Sequence, residues 1–180
     1  TDFGEVITEL VPVQPDLLFF GGEYDAGSAF RAQASAAGLT APVMGGDGLK
    51  DDAYIAKAGA ASEGDLASTV GAPAASNPSA GPFLTAYEEE GFVDPPSDFG
   101  PYAYDAANLL IAAATDALAG ADAVTRTVRD EIVASVQAAD EQGASGGNAF
   151  DAFGDTTTKV LTLYKVTGGV WTPLKTETVP

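Results

Sequence analysis

The chain has 180 residues, 8 of them basic and 26 acidic, for a formal net charge of -18, and 46% are hydrophobic. This composition fits a soluble globular chain long enough for one domain or two small lobes, and its charge repels nucleic acid and anionic lipid, so no nucleic-acid partner is expected. Cysteine and histidine are both absent, which excludes disulfides, thiolate nucleophiles, the usual zinc sites and imidazole acid–base chemistry; no cofactor is called for. No run reaches the length of a membrane span. Thr1 opens directly into amphipathic sequence, so the targeting segment is expected to have been removed, or the chain to be a piece of something longer.

From the N-terminus, Asp2 to Leu10 sets Phe3, Val6, Ile7 and Leu10 on one helical face, and Pro12 and Pro15 close that helix. A helix feeding a strand suggests that an earlier strand is missing. Residues 16–20 form a short apolar run that stops at Gly21-Gly22, and residues 41–44 form another that stops at Gly45-Gly46-Asp47-Gly48. The spacing of Ala26, Ala29, Phe30 and Ala37 predicts a helix between them, which makes a βαβ unit with Asp25 expected as the helix N-cap. Parallel strands joined by a helix bring the loops after each strand to one carboxyl edge, where open α/β sheets hold ligands; Glu23, Tyr24 and Asp47 are therefore expected to face a common crevice. Leu49 to Ala58 reads as a short helix ended by Gly59, and residues 64–71 as a third strand.

After residue 71 the pattern changes. Residues 72–79 have the composition of a linker, and helices follow in series: 82–90 with Phe83, Leu84 and Tyr87 inward and Glu88-Glu89-Glu90 solvated, then 102–119, then 125–138. Tyr104, Ala107, Leu110, Ile111, Ala114 and Leu118 are the residues of the second helix available for burial, while Gln142 to Asn148 is expected to be flexible. Residues 158–166 and 170–172 alternate as strands about a Gly168-Gly169 turn, with Trp171 expected in hinge or edge packing.

The region 72–157 shows no clear strand, yet a layered domain needs a sheet under its helices. Their apolar stripes are expected to dock on another stretch of polypeptide, either a missing N-terminal half or a second chain.

The order of these pieces resembles the C-terminal half of the type I periplasmic binding proteins, specifically the branched-chain amino-acid receptors of ABC importers. The resemblance covers nearly the whole chain. It is carried by the helix and strand from Asp2-Phe3 to Gly21-Gly22, by Arg31-Ala32-Gln33-Ala34 with Gly38-Leu39, and by Met44-Gly45-Gly46-Asp47-Gly48. Ala61-Ser62-Glu63-Gly64, Tyr104-Asp105-Ala106 and Phe150-Asp151-Ala152-Phe153-Gly154-Asp155 continue it toward the C-terminus. It implies an α/β protein of the type I periplasmic-binding-protein fold, incomplete, with parts of two Rossmann-like lobes joined by hinge strands: residues 1–71 in the second lobe, 72–157 returning to the first, and 158–180 through the hinge.

The resemblance also implies a site. Asp47 occupies the position of the acid that takes the solute's α-ammonium, flanked by Gly46 and Gly48, which let backbone and ligand approach closely. Its structural alternative is capping the helix from Leu49. Tyr24 lies where the family places an aromatic against the solute, but this loop is one residue shorter, so Glu23 is the alternative there. Phe99 and Tyr102 resemble the first-lobe connector that supplies an apolar wall, with simple packing as the competing role.

The function implied is a non-catalytic, extracytoplasmic solute-binding subunit that closes over an amino acid or similar small polar solute and presents it to an ABC permease; a periplasmic or extracellular location is implied with it, and a lipid anchor on the full-length protein is compatible with the resemblance. A ligand-sensing regulatory domain of the same fold is the alternative. A third reading, from another class, is a Mg²⁺-dependent enzyme of flavodoxin-like fold using Glu23, Asp25 and Asp47 as ligands, with Lys50 or Ser28 nearby.

Overall fold

The computed structural model describes residues 1–179. The chain divides into two compact units, one made of Thr1–Val70 with Val160–Val179 and the other of Gly71–Lys159.

The first unit is built as α1 (Gly4–Leu10), β1 (Leu18–Phe20), α2 (Tyr24–Ala36), β2 (Val43–Gly45), α3 (Asp52–Ala58) and β3 (Leu66–Val70), completed by β6 (Val160–Thr167) and β7 (Val170–Thr178). Its single sheet runs β1-β2-β3-β6-β7. The first three strands are parallel, with Phe20 beside Gly45 and Gly45 beside Ala67, whereas β6 and β7 are antiparallel. Two glycines of positive φ, Gly168 (63°) and Gly169 (77°), turn β6 into β7, the backbone that a two-residue hairpin of this twist requires. Thus the C-terminal strands pair with β3 and extend the first unit's sheet.

One stripe of α2 packs with α1, β1, β2, α3 and the loops to close the core: Ile7, Leu18, Phe30, Leu39, Val43, Leu49 and Tyr54 are buried. Phe3 meets Phe20 and Phe30 edge-on, at ring-centroid distances of 6.0 and 5.5 Å. Trp171 packs on Tyr54 and donates its indole N–H to the Asp51 carbonyl at 3.0 Å, which is the packing role expected of it. Inside this core sits one ion pair. Arg31 Nε lies 3.0 Å from Asp65 Oδ2, the Tyr54 hydroxyl donates to the same oxygen at 2.7 Å, and the Val43 amide donates to Oδ1 at 2.7 Å. Burial pushes the Asp65 carboxyl up, against the pull of those three donors, and burial with the Asp65 contact pushes the Tyr54 phenol up as well. One carboxylate therefore ties α2, β2, α3 and β3 together.

Two boundaries differ from the sequence reading. The expected helix from Leu49 is a 3₁₀ turn over Asp47–Leu49 followed by α3, because Asp51 adopts extended backbone and its side chain accepts from the Ala53 amide at 2.7 Å. Helix α2 also begins before Asp25, with Glu23 in the N-cap position.

The second unit contains α4 (Gly81–Glu90), α5 (Gly100–Leu118), α6 (Arg126–Gln137) and a hairpin of β4 (Asp140–Gly143) and β5 (Gly146–Ala149). Residues 142–148, expected to be flexible and strandless, form that hairpin. The cause is Asp105, 5% exposed on α5, whose carboxylate accepts from the Ala144 amide (2.8 Å), the Ser145 amide (2.7 Å) and hydroxyl (2.5 Å), and the Asn148 amide (3.0 Å). Asn77 holds the same loop through the Ser145 carbonyl at 3.0 Å. The apolar face of α5 is exposed rather than buried, with Ile111 at 63% and Leu110 at 53%. A two-stranded hairpin does not supply the sheet that such a face needs.

Candidate functional site

The site begins with a wedge. Leu49 is fully buried, and its side chain fills the space beside two glycines: a Cβ on Gly27 would come within 2.3 Å of Leu49 Cδ1, and one on Gly45 within 2.7 Å of its Cβ. This packing pulls the chain after β2 into the tight turn in which the Leu49 amide bonds the Gly46 carbonyl at 3.1 Å. Asp47 is consequently thrust outward. It is exposed, not buried as a preformed ammonium socket would be, and its Oδ1 accepts from the Gly48 amide at 3.1 Å. The competing role is filled elsewhere, since Asp51 and not Asp47 caps α3.

Glu23 comes from the neighbouring loop, after β1. Its carboxylate rests on Gly48, where an added Cβ would stand 2.8 Å from Oε2. No side-chain cap bond to α2 occupies it. Glu23 and the Asp47 turn therefore share one patch at the carboxyl edge of the parallel strands, as the βαβ reading expects. Tyr24 opens α2 half-buried against the core, with Lys57 Nζ 5.5 Å from its ring centre. A Cβ on Gly46 would meet nothing within 4 Å, so the space above that backbone is open.

Asp25 is neither cap nor metal ligand: it pairs with Lys57, whose hydrogen bond and charge hold the Asp25 carboxyl below the usual range. Among the described residues, no group of three carboxylates could hold a metal ion. The acid-cluster enzyme reading thereby loses its third ligand.

Phe99 and Tyr102 belong to the second unit. Phe99 stands in the N-cap position of α5, its amide donating to Ser97 Oγ at 3.2 Å. The Tyr102 ring covers Gly71, leaving no room for a Cβ there, and its hydroxyl is hydrogen-bonded to the Ala72 backbone; burial pushes its phenol up. Tyr102 is thus committed to packing where the chain enters this unit. Sequence reasoning missed the Asp65 network and the Asp105 anchor. For Asp105 the signal was an acid on an otherwise apolar helix, which demands buried donors; Asp65, two residues from Glu63, carries no such local signal.

Among the described residues, no helix is long and apolar enough to cross a membrane. A comparison with curated proteins finds no match. Among solved structures, the chain is similar to a leucine binding protein, LivK, from Thermotoga maritima (29% identity, 97% of this chain and 48% of that one, TM-score 0.76). It is also similar to a putative branched-chain amino acid ABC transporter from Rhodospirillum rubrum (30%, 96% and 48%, TM-score 0.65). A third, a solute binding protein of R. palustris in complex with benzoate, shares the fold (24%, 99% and 48%, TM-score 0.73). The chain spans about half the length of these structures. Residues 1–170 match the family described as periplasmic binding protein, and the chain belongs to that family.

Proposed function

We propose that the chain is part of an extracytoplasmic subunit of an ABC importer, which closes two lobes over an amino acid or similar small polar solute and delivers it to a membrane permease. Membership of the family carries an extracytoplasmic location and a solute-binding, not enzymatic, role. In this reading residues 1–71 are part of the second lobe, 72–157 the returning part of the first, and 158–180 the hinge strands. The apolar face of α5 is then covered by the first lobe's sheet, from an N-terminal half or a second chain. Lipid anchoring of the full-length protein belongs to the same reading.

The observation that carries it is the meeting of Glu23 with the Asp47 turn at the sheet's carboxyl edge. Two carboxylates on adjacent loops, with open space over Gly46, suit a solute that presents an ammonium group. Leucine and isoleucine, named with solved relatives, carry such a group; benzoate, named with another, does not. Closure of the other lobe removes Asp47 from water and strengthens its attraction for a cation.

A thermal-shift screen on the protein carrying both lobes, with amino acids, their deaminated acids and Mg²⁺ with phosphate as separate arms, tests this. Stabilisation by amino acids is expected. Stabilisation by benzoate-like acids alone would remove the ammonium from the proposal, and stabilisation by Mg²⁺ with phosphate alone would overturn the binding-protein reading of the site.

A further inference from the structure

Three consecutive residues just beyond Asp47 are each fastened to a different part of the first unit. Leu49 fills the space beside Gly27 and Gly45. Lys50 closes the turn with its amide, which donates to the Asp47 carbonyl at 3.1 Å, and lays its ammonium 4.6 Å from the centre of the buried Tyr164 ring on β6. Asp51 takes the indole N–H of Trp171, on β7, at its carbonyl. We propose that Trp171 is a positioning residue for solute binding: through Asp51 it holds the Asp47 turn against the β6–β7 hairpin. The proposal rests on the reading of that turn as the solute's site.

The indole bond is surplus to the helix it touches. The Asp51 carbonyl already accepts from the Tyr54 amide at 3.1 Å, and the Asp51 side chain accepts from the Ala53 amide at 2.7 Å. The first turn of α3 is therefore capped without Trp171. What the indole adds is a tie between residues 120 positions apart, made where Asp51 (φ -143°, ψ 145°) leads the turn into α3. Its mount is stiff. The Trp171 ring centre lies 5.7 Å from that of Tyr54, which is fully buried and donates its hydroxyl to Asp65, and Trp171 pairs with the fully buried Val166 across the hairpin. Lys50 on Tyr164 gives the same hairpin a second hold, through the attraction of a cation for a ring face.

The Asp47 side chain has little of its own to orient it. It is exposed and accepts from the Gly48 amide, so the direction of its carboxylate follows the backbone of the turn. That backbone is set by what fastens Leu49, Lys50 and Asp51. A charge-assisted hydrogen bond to an ammonium group needs its acceptor held to within a fraction of an ångström by the shell behind it. Linkage makes the effect mutual: a solute held by the turn steadies the hairpin that holds the turn.

Trp171→Phe keeps a ring against Tyr54, removes the indole donor and leaves the Asp51 carbonyl its Tyr54 partner. Two measurements on the two-lobed protein test it: amide hydrogen exchange without solute, and calorimetric titration with leucine. Exchange at the Lys50 amide should quicken and leucine affinity should fall, each by about tenfold, the worth of one hydrogen bond. Tyr54→Phe is the structural control. It removes a hydroxyl from the same cluster and should lower the urea midpoint with leucine affinity unchanged. In the parent, saturating leucine should slow exchange of the Trp171 indole N–H, an arm that needs no substitution. Parent-like exchange at Lys50 in Trp171→Phe would overturn the proposal, as would faster exchange with undiminished affinity, an indole N–H indifferent to leucine, or an equal loss of affinity in Tyr54→Phe. A parent that binds no amino acid would instead overturn the solute reading and the binding role with it, while exchange at Lys50 still shows whether Trp171 holds the turn.

Discussion

The Glu23 carboxylate rests on the α-carbon of Gly48, with Oε2 only 2.8 Å from where a Cβ would stand. This contact joins the loops after β1 and β2, and it depends on glycine for room rather than for backbone freedom. Gly48→Ala should therefore swing the exposed Glu23 side chain aside, with a stability change within about 0.5 kcal/mol. Solute binding should fall with it. Gly46→Ala is the companion change: its Cβ meets nothing in the folded chain, so any loss of affinity reads out directly the approach of solute to that backbone. Urea denaturation and titration of both variants check this pair, and unchanged affinity in both would remove the two loops from the site.

Arg31 is the counter-ion of a fully buried carboxylate. Arg31→Met keeps much of the volume but leaves Asp65 without its cation. The loss should be about 3–5 kcal/mol, the cost of stranding a buried charge. Chemical denaturation measures it. A loss near zero would mean that the Tyr54 and Val43 donors suffice for Asp65.

Asp105 gives the hairpin a pH dependence of known sign. Burial alone would push its carboxyl up, but the hydrogen bonds from Ser145, Asn148 and Ala144 outweigh it, and the group titrates below the ordinary value of 3.8. A lowered folded-state value means that its contribution is fully present above that ordinary value and is lost as pH falls through the folded one. Asp105→Asn should cost about 1–3 kcal/mol at pH 7 by leaving buried donors unpaired. The gap between variant and parent in denaturation midpoint should then narrow below about pH 4. A gap that stays constant down to pH 2 would contradict the assignment.

How far the sequence carries depends on where each constraint resides. The period of apolar residues and the glycines at 21–22 and 45–48 disclose the parallel strands and their loops, because those signals are local. The alternation around Gly168-Gly169 likewise discloses the hairpin, though not its partner: that β6 lies beside β3 is a pairing across about 95 residues, which no local pattern encodes. The hairpin at 140–149 escaped because Gly143, Gly146 and Gly147 read as a loop, and the residues that order it, Asp105 and Asn77, are distant in sequence. That the loops carrying Glu23 and Asp47 meet at one sheet edge was legible in the sequence. The exposure of Asp47 was not, for it follows from how Leu49 packs against Gly27 and Gly45.

Ile111 is exposed in the middle of the apolar face of α5. Ile111→Lys in the 180-residue chain should shift stability by less than about 0.5 kcal/mol, since nothing covers it. In a protein where the first lobe's sheet lies on that face, the same change buries an unpaired charge and should cost about 3 kcal/mol or more. Urea curves of the two forms make the comparison. Equal small effects in both would show that the face stays open.

The central claim is that the Asp47 turn takes a solute's ammonium, and its most direct measurement is a calorimetric titration of leucine and of 4-methylpentanoate, leucine without its ammonium, into the two-lobed protein and its Asp47→Asn variant. The account predicts that leucine binds the parent protein, that 4-methylpentanoate binds it far more weakly, and that Asp47→Asn costs leucine about 2–5 kcal/mol because closure desolvates the carboxylate. A cost below about 1 kcal/mol, the worth of a solvent-exposed pair, with both compounds bound alike, would contradict it.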